Sequence, residues 1–308
     1  MRDNVCASGS ARDPFAPLPP AVSFTCDVEP SPTDPTGRRH GAVTRALLDH
    51  LDAWGARGTF FVLGTVAADD PGLVRGIAAR GHEVASHGDR HVALAALAPA
   101  ELREEARRAR EVLEDLTGHA VTGFRAPFFS LTGDAAAAAV TEAGYAYSSS
   151  LLPARGFLHG APGAPRRPFA WPCGLLELPV PVATLYGVAV PVLGGMYLRY
   201  LPPFDLRAML PRLEGPLAWT YCHPYDLDDA EPRGRVAGMG RVAAAFLRAN
   251  RRITARRLAA IHAAPVGVSG GQRVSVPLVE RLEEARRLAG LAPQSKGSAE
   301  EATVAFDA

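Results

Sequence analysis

Glu83-Val-Ala-Ser-His87-Gly-Asp-Arg-His91 is the stretch on which the reading of this chain turns. A short apolar run that breaks into Gly and Asp reads as a buried strand meeting the loop at its C-terminal end. The two imidazoles that follow, four residues apart, are a ready pair of metal ligands. Alone, such a pair would more readily be a surface face or a hydrogen-bonded core pair, so its company matters. Upstream, Val22-Ser-Phe-Thr-Cys26 runs into Asp27-Val-Glu29, and downstream Arg125-Ala-Pro127 and His223-Pro224 each close a further apolar run. Polar residues gathered at the C-terminal ends of several strands are how barrel active sites are built. Two histidines and one carboxylate, with a position left for water, form a set that makes a divalent zinc-like ion hydrolytic. The chain therefore reads as a metal-dependent hydrolase.

Around that stretch the pattern alternates. Strands are expected at Val22 to Cys26, Thr59 to Leu63, Glu83 to Ser86, Val121 to Arg125, Ala146 to Ser149, Leu175 to Val180 and Leu217 to Cys222. Helices are expected at Ala42 to Trp54, Pro71 to Arg80 and Ala98 to Leu116, where apolar residues recur at three and four. Strand and helix in turn imply an α/β fold, either a βα barrel or an open sheet. Pro153 to Pro172, with five prolines and three glycines, reads as a loop over one face. Residues 1–20 are expected to be a flexible leader, 21–292 the catalytic domain and 293–308 a flexible tail.

The chain has 308 residues, 47% of them hydrophobic, and its 33 basic residues nearly balance 32 acidic ones, which suits one ordinary enzyme domain and argues against nucleic acid as a partner. Arg103, Arg107, Arg108 and Arg110 alternate with Glu101, Glu104, Glu105 and Glu111, the pattern of a solvated helix face. Cys6, Cys26, Cys173 and Cys222 form no C-x-x-C pair, so a reducing compartment is the default. No apolar run suits a signal peptide or a transmembrane segment, and a cytoplasmic location is expected. The oligomeric state is left open.

Four of these motifs, in this order and spacing, resemble those of the polysaccharide deacetylases of carbohydrate esterase family four. Phe24-Thr-Cys-Asp27-Val-Glu29 is similar to the acidic pair that closes the family's first strand, His87 to His91 to its H-x-x-x-H, Phe124-Arg125-Ala-Pro127 to its R-x-P, and Tyr221-Cys-His223-Pro224 to its fifth motif. Gly58-Thr-Phe-Phe-Val-Leu-Gly64 and Gly81 to His87 also resemble family members, and the likeness spans about residues 20 to 290.

The resemblance implies a distorted (β/α) barrel of about seven strands holding one divalent ion, zinc by expectation, on Glu29, His87 and His91. It implies Asp27 as general base, Arg125 as the guanidinium that orients it, His223 as the acid that protonates the departing amine, and the backbone N–H of Phe128 as an oxyanion donor. The implied reaction removes an N-acetyl group from an amino sugar in a glycan, a lipid-linked or nucleotide-linked precursor, or a small natural product. The alternatives are a deacylase, deformylase or amidohydrolase acting on a non-sugar amide, or a catalytically lapsed glycan-binding module. Retention of Asp27, the ligand histidines, Arg125 and His223 argues against lapse.

Three positions depart from the common family pattern. Glu29 is longer than the usual aspartate, and Asp34 stands by as a substitute ligand or, more simply, a turn-capping residue in Ser31-Pro-Thr-Asp-Pro35. Ser148 stands where relatives often carry the aspartate that tunes the acid, leaving Asp226 as a replacement, and Phe128 replaces a tyrosine. Isolated histidines 50, 82, 119 and 262 read as surface or satisfied residues, and Cys26 and Cys222 as small apolar fillers beside the site. Trp171, Trp219, Phe169 and Tyr197 suit either a sugar-stacking wall or plain core.

Overall fold

In the computed structural model, which describes residues 22–34, 36–155, 160–201, 206–236, 238–263 and 275–293, the first strand shows how the architecture arises. Along β1 (Ser23–Val28) every residue is buried, yet the two faces differ. Phe24, Cys26 and Val28 join the large apolar cluster under the helices, while Thr25 and Asp27 face the other way. A strand covered on both sides can only sit inside a helix-wrapped sheet.

After β1 come α1 (Arg39–Trp54), β2 (Gly58–Val62), α2 (Gly64–Asp69), α3 (Pro71–Ala79), β3 (Glu83–Ser86), α4 (Pro99–Thr117), β4 (Gly123–Phe124), α5 (Asp134–Glu142), β5 (Tyr147–Ser148), β6 (Phe169–Ala170) and β7 (Leu176–Glu177). The chain continues through β8 (Ala183–Leu185), β9 (Val188–Val190), α6 (Gly195–Tyr200), β10 (Trp219–Cys222), α7 (Arg241–Arg248), α8 (Arg251–His262) and α9 (Leu282–Leu288). Local signals set several ends. Gly55 closes α1 in the left-handed region at φ 63°. Asp70 caps α3 by accepting from the Leu73 N–H, and Glu101 accepts from the Ala98 N–H at the start of α4.

The sheet runs β10-β1-β2-β3-β4-β5-β7-β6, with every neighbouring pair parallel except the antiparallel edge β6–β7. Seven parallel strands in a curled sheet make the distorted (β/α) barrel, and they fall where the seven apolar runs place them. Three features go beyond that expectation. β6 lies inside the proline-rich stretch read as pure loop, a β8–β9 hairpin turns at Tyr186-Gly187, and β4, β5 and β7 shrink to two residues each. The leader 1–20 and residues 294–308 of the tail lie outside the described residues.

The inner face has its own core of Phe61, Ala85, Tyr147, Leu176, Trp219 and Tyr221. Its lower end is plugged. Glu83 accepts from Thr59 and Tyr147, Leu278 N–H donates to Thr59 Oγ1, and Ser275 Oγ accepts from Phe24 N–H. Residues 193 and 194 extend the sheet beyond β10, where Tyr221 N–H donates to the Leu193 carbonyl. A β-carbon on Gly194 would fall 1.9 to 2.5 Å from Tyr221 ring atoms, so the close approach requires glycine. Among the described residues no helix is long and apolar enough to cross a membrane.

Candidate active site

With the lower end plugged, the inward-facing side chains at the upper, C-terminal strand ends meet in one place. Period-two alternation puts Thr25, Asp27 and Glu29 on the inner side of β1 and its exit, Ala85 and His87 on that of β3, and Trp219, Tyr221 and His223 on that of β10. Asp27, Glu29, His87 and His223 thus have the parity of the inner core. Cys26 and Cys222 have the opposite parity: they pair in register within the outer cluster, and burial pushes both thiols up. Neither can act as a nucleophile in this site.

Glu29, His87 and His91 form a compact set, their nearest donor atoms within 4.8 Å of one another. Glu29 Oε2 is 2.5 Å from His91 Nε2 and 3.4 Å from His87 Nε2, and it makes no hydrogen bond among the described residues although it is buried. Tyr225 donates to the other oxygen at 3.0 Å. Burial opposes ionisation of Glu29, but the imidazoles of His223, His87 and His91 outweigh it and hold the carboxyl well below its usual range. On His87, Nδ1 donates to the Arg125 carbonyl at 2.9 Å, which leaves Nε2 with its lone pair aimed at Glu29. A buried carboxylate oxygen facing two imidazole nitrogens is a set of groups that could hold a divalent cation. Asp34 is not part of it: its carboxylate accepts from the N–H groups of Thr36, Arg38 and Arg39, as a turn cap does.

Asp27 lies beside this set and is held by Arg125, whose Nη1 is 2.6 Å from Oδ1. The guanidinium is fully buried, with Phe61 at 3.9 Å and Trp219 at 4.5 Å from the cation to the ring centroids. It also donates to Thr25 Oγ1 and to both the carbonyl and the hydroxyl of Ser149. These acceptors lock the guanidinium, so its hydrogen bond to Asp27 comes from one fixed direction. Trp219 therefore belongs to the core, and Trp171 donates to the buried Glu177. In the serine run, Ser149, just past β5, reaches Arg125 while Ser148 bonds Ser150, so the serine that touches the site is the one after the position compared with the family aspartate.

The histidine opposite is held differently. His223 Nδ1 is 2.8 Å from Asp226 Oδ2, and its own N–H donates to the same oxygen at 2.9 Å. Asp226 Oδ1 is 3.2 Å from Arg199 Nε, an ion pair off line for a hydrogen bond, and both residues are buried. Burial alone would lower the His223 pKa, but Asp226 and Glu29 outweigh it and push it up to about 9. The same imidazole and Arg199 keep Asp226 below its ordinary value despite burial. Tyr225 stacks on the imidazole at 4.6 Å. Asp226, three residues past His223, takes the place that the missing aspartate of the fourth motif leaves vacant; Arg199 carried no sequence signal.

Phe128 completes the rim. It and Phe129 adopt φ of 60° and 54°, a left-handed pair immediately after Arg125-Ala-Pro127, and the Phe128 ring lies 4.3 Å from that of His91. Bulky residues in this region are strained, and such strain collects at functional loops.

Residues 17–148 match the family model described as polysaccharide deacetylase. That segment carries a polysaccharide deacetylase domain. Residues 149–264 match a second model, described as a domain of unknown function (DUF3473). The two matches divide the site between them: Asp27, Glu29, His87, His91 and Arg125 lie in the first, Arg199, Tyr225, His223 and Asp226 in the second. One sheet holds both, since β7 and β10 come from the second segment. Among curated relatives, a chitooligosaccharide deacetylase of Bradyrhizobium sp. (strain ANU 289) is 37% identical over 92 residues, 30% of this chain and 42% of that protein. The peptidoglycan-N-acetylglucosamine deacetylase PgdA of Listeria monocytogenes is 33% identical over 87 residues, 28% of this chain and 19% of that protein. The chain thus spans less than half the length of these relatives. A Mycobacterium smegmatis protein assigned to the polysaccharide deacetylases has a crystal structure that matches 89% of this chain and 92% of its own, at TM-score 0.57 and 25% identity.

Proposed function

We propose that residues 21–292 form one catalytic unit, a metal-dependent N-deacetylase that frees the amine of an N-acetylated amino sugar. The observation that carries this reading is the placing of an Arg-held carboxylate, Asp27, and an Asp-held imidazole, His223, around the Glu29, His87 and His91 set. A pure binding module needs no base and acid flanking a cation. A divalent ion on those three ligands, zinc in our reading, would polarise the amide carbonyl and lower the pKa of a water molecule towards about 7.

Asp27, pinned by Arg125, takes the proton of the attacking water as its oxygen bonds to the acetyl carbon. The Phe128 N–H, presented by the left-handed turn, serves as a donor to the developing oxyanion. His223 then gives its proton to the amide nitrogen as the C–N bond breaks, releasing acetate and the free amine, and Asp226 holds it protonated and in the correct tautomer for that transfer. The named activities of the chitooligosaccharide and peptidoglycan relatives support an amino sugar as substrate. Cys26, Cys173 and Cys222 are unpaired, which suits the cytoplasm and a soluble or membrane-carried precursor.

Acetate release from a panel of N-acetylated sugars, before and after chelation and zinc replacement, tests the reading. Turnover that survives complete metal removal would refute it. His223→Ala should lose about 10²–10⁴-fold in kcat on an amide and less on an ester of the same acyl group, because an alcohol leaves without full protonation. Equal losses on both substrates would place the acid elsewhere.

A further inference from the structure

From Pro232 to Ala263 the chain holds eight arginines and neither an aspartate nor a glutamate. Several of these arginines are committed to the fold. Arg248 and Arg251 pair with the buried Glu231, Arg252 with Asp229, and Arg257 donates to the carbonyls of Leu198 and Leu201. Arg233, Arg235 and Arg241 are exposed and make no hydrogen bond or ion pair with the described residues. Together with Arg248, Val236, Met239 and Ala244 they line an open cleft of about 890 Å³ with no carboxylate in its wall. None of its lining residues belongs to the active site.

The helix along this cleft is built the wrong way round for a soluble surface. On α7, Val242 is 85% exposed and Phe246, four residues on, is 45% exposed, so a helix ridge of apolar side chains points outward beside the cleft that carries these cations. The ridge is fixed in place: Phe246 stacks on Tyr200 at 4.4 Å, and Arg199 donates to the Leu247 carbonyl at 2.6 Å. A site for a small phosphate or an acidic glycan would need the arginines alone. Unpaired cations flanking an outward apolar ridge are what the boundary of an anionic bilayer accepts, with side chains entering the headgroup layer and guanidinium groups meeting lipid phosphates.

We propose that α7 together with Arg233 and Arg235 forms a docking surface for an anionic lipid bilayer. Binding to it does not depend on the reaction assigned above, so the two can fail separately. The test is co-sedimentation of the full chain with phosphatidylcholine vesicles containing about one third phosphatidylglycerol, against pure phosphatidylcholine, with dextran sulfate as a soluble polyanion. The anionic vesicles should bind it and the neutral ones should not. Each arginine near such a surface contributes about a fivefold gain in partitioning, so Arg233→Glu/Arg235→Glu/Arg241→Glu should cut binding by about 100-fold. Val242→Ser/Phe246→Ser should weaken vesicle binding while leaving dextran sulfate binding unchanged. All five side chains are exposed, and unchanged thermal melting would show that both variants fold. Failure of the parent to bind anionic vesicles, or undiminished binding by the charge-reversed variant, would overturn the proposal. Full vesicle binding by the serine variant would also overturn it, making the cleft a polyanion site.

Discussion

Asp226→Asn isolates the carboxylate that holds His223. The substitution keeps an oxygen within reach of Nδ1, 2.8 Å away in the parent, and removes only the charge. In the parent that charge, with Glu29, lifts the imidazole to about 9 against the pull of burial. A general acid must be protonated to act, so activity should be present below that value and fall as pH rises through it. At about pH 8 a group titrating at 9 is roughly nine-tenths protonated, whereas an imidazole at its ordinary 6.5 is only about 3% protonated, a ratio of about 30. At about pH 6 both are mostly protonated and the ratio is under about two. A cation on Glu29 would cancel part of that residue's upward push and burial would pull the variant's imidazole down, so about 30-fold is the order of magnitude of the effect at pH 8. The assay is kcat/KM for acetate release between about pH 5 and 10, with metal content checked for each sample. The alkaline limb should move to lower pH, with little loss at the acid end. A loss of equal size at every pH, or an unmoved limb, would refute the reasoning and leave Asp226 as a structural residue.

His87→Ala and His91→Ala should each abolish stoichiometric zinc by elemental analysis, since each removes one of three ligands; zinc retained at the parent level would break the ligand assignment. Asp27→Asn should keep the metal and lose about 10²–10⁴-fold in turnover. Asp27→Ala should in addition destabilise the fold by about 3–5 kcal/mol in denaturant unfolding, because Arg125 is fully buried and would lose its carboxylate. Gly194→Ala should cost about 1–3 kcal/mol and depress turnover by shifting Tyr221, two residues before His223; an unchanged melting temperature would show that the wall yields freely there.

Much of the fold and of the site is written in local pattern. Each of the seven parallel strands is an apolar run long enough to be read one at a time, and the parity rule that buries Phe24 and Cys26 under helices necessarily turns Asp27 inward. Glu29, His87, His91, Arg125 and His223 were legible for the same reason: each lies at or just after the end of such a run, and two residue types, carboxylate and imidazole, suffice to mark a metal set. Even the capping role of Asp34 follows from Ser31-Pro-Thr-Asp-Pro35. What the sequence could not weigh were contacts whose partners are far apart along the chain. β6, only two residues long, exists because β7 offers it an edge, and no period can be read from two residues. Whether His223 went without a tuning carboxylate or used Asp226 was left open by the sequence; in the fold the H-P-Y-D turn brings the Asp226 carboxylate back onto that imidazole, while Ser148 spends its hydroxyl on Ser150. Arg199 meets Asp226 across 27 residues, and Arg125 meets Asp27 across 98. Side-chain type and strand parity are properties of the chain itself, but which buried charge neutralises which is settled only when the barrel brings remote strand ends together and burial leaves no water to take a partner's place.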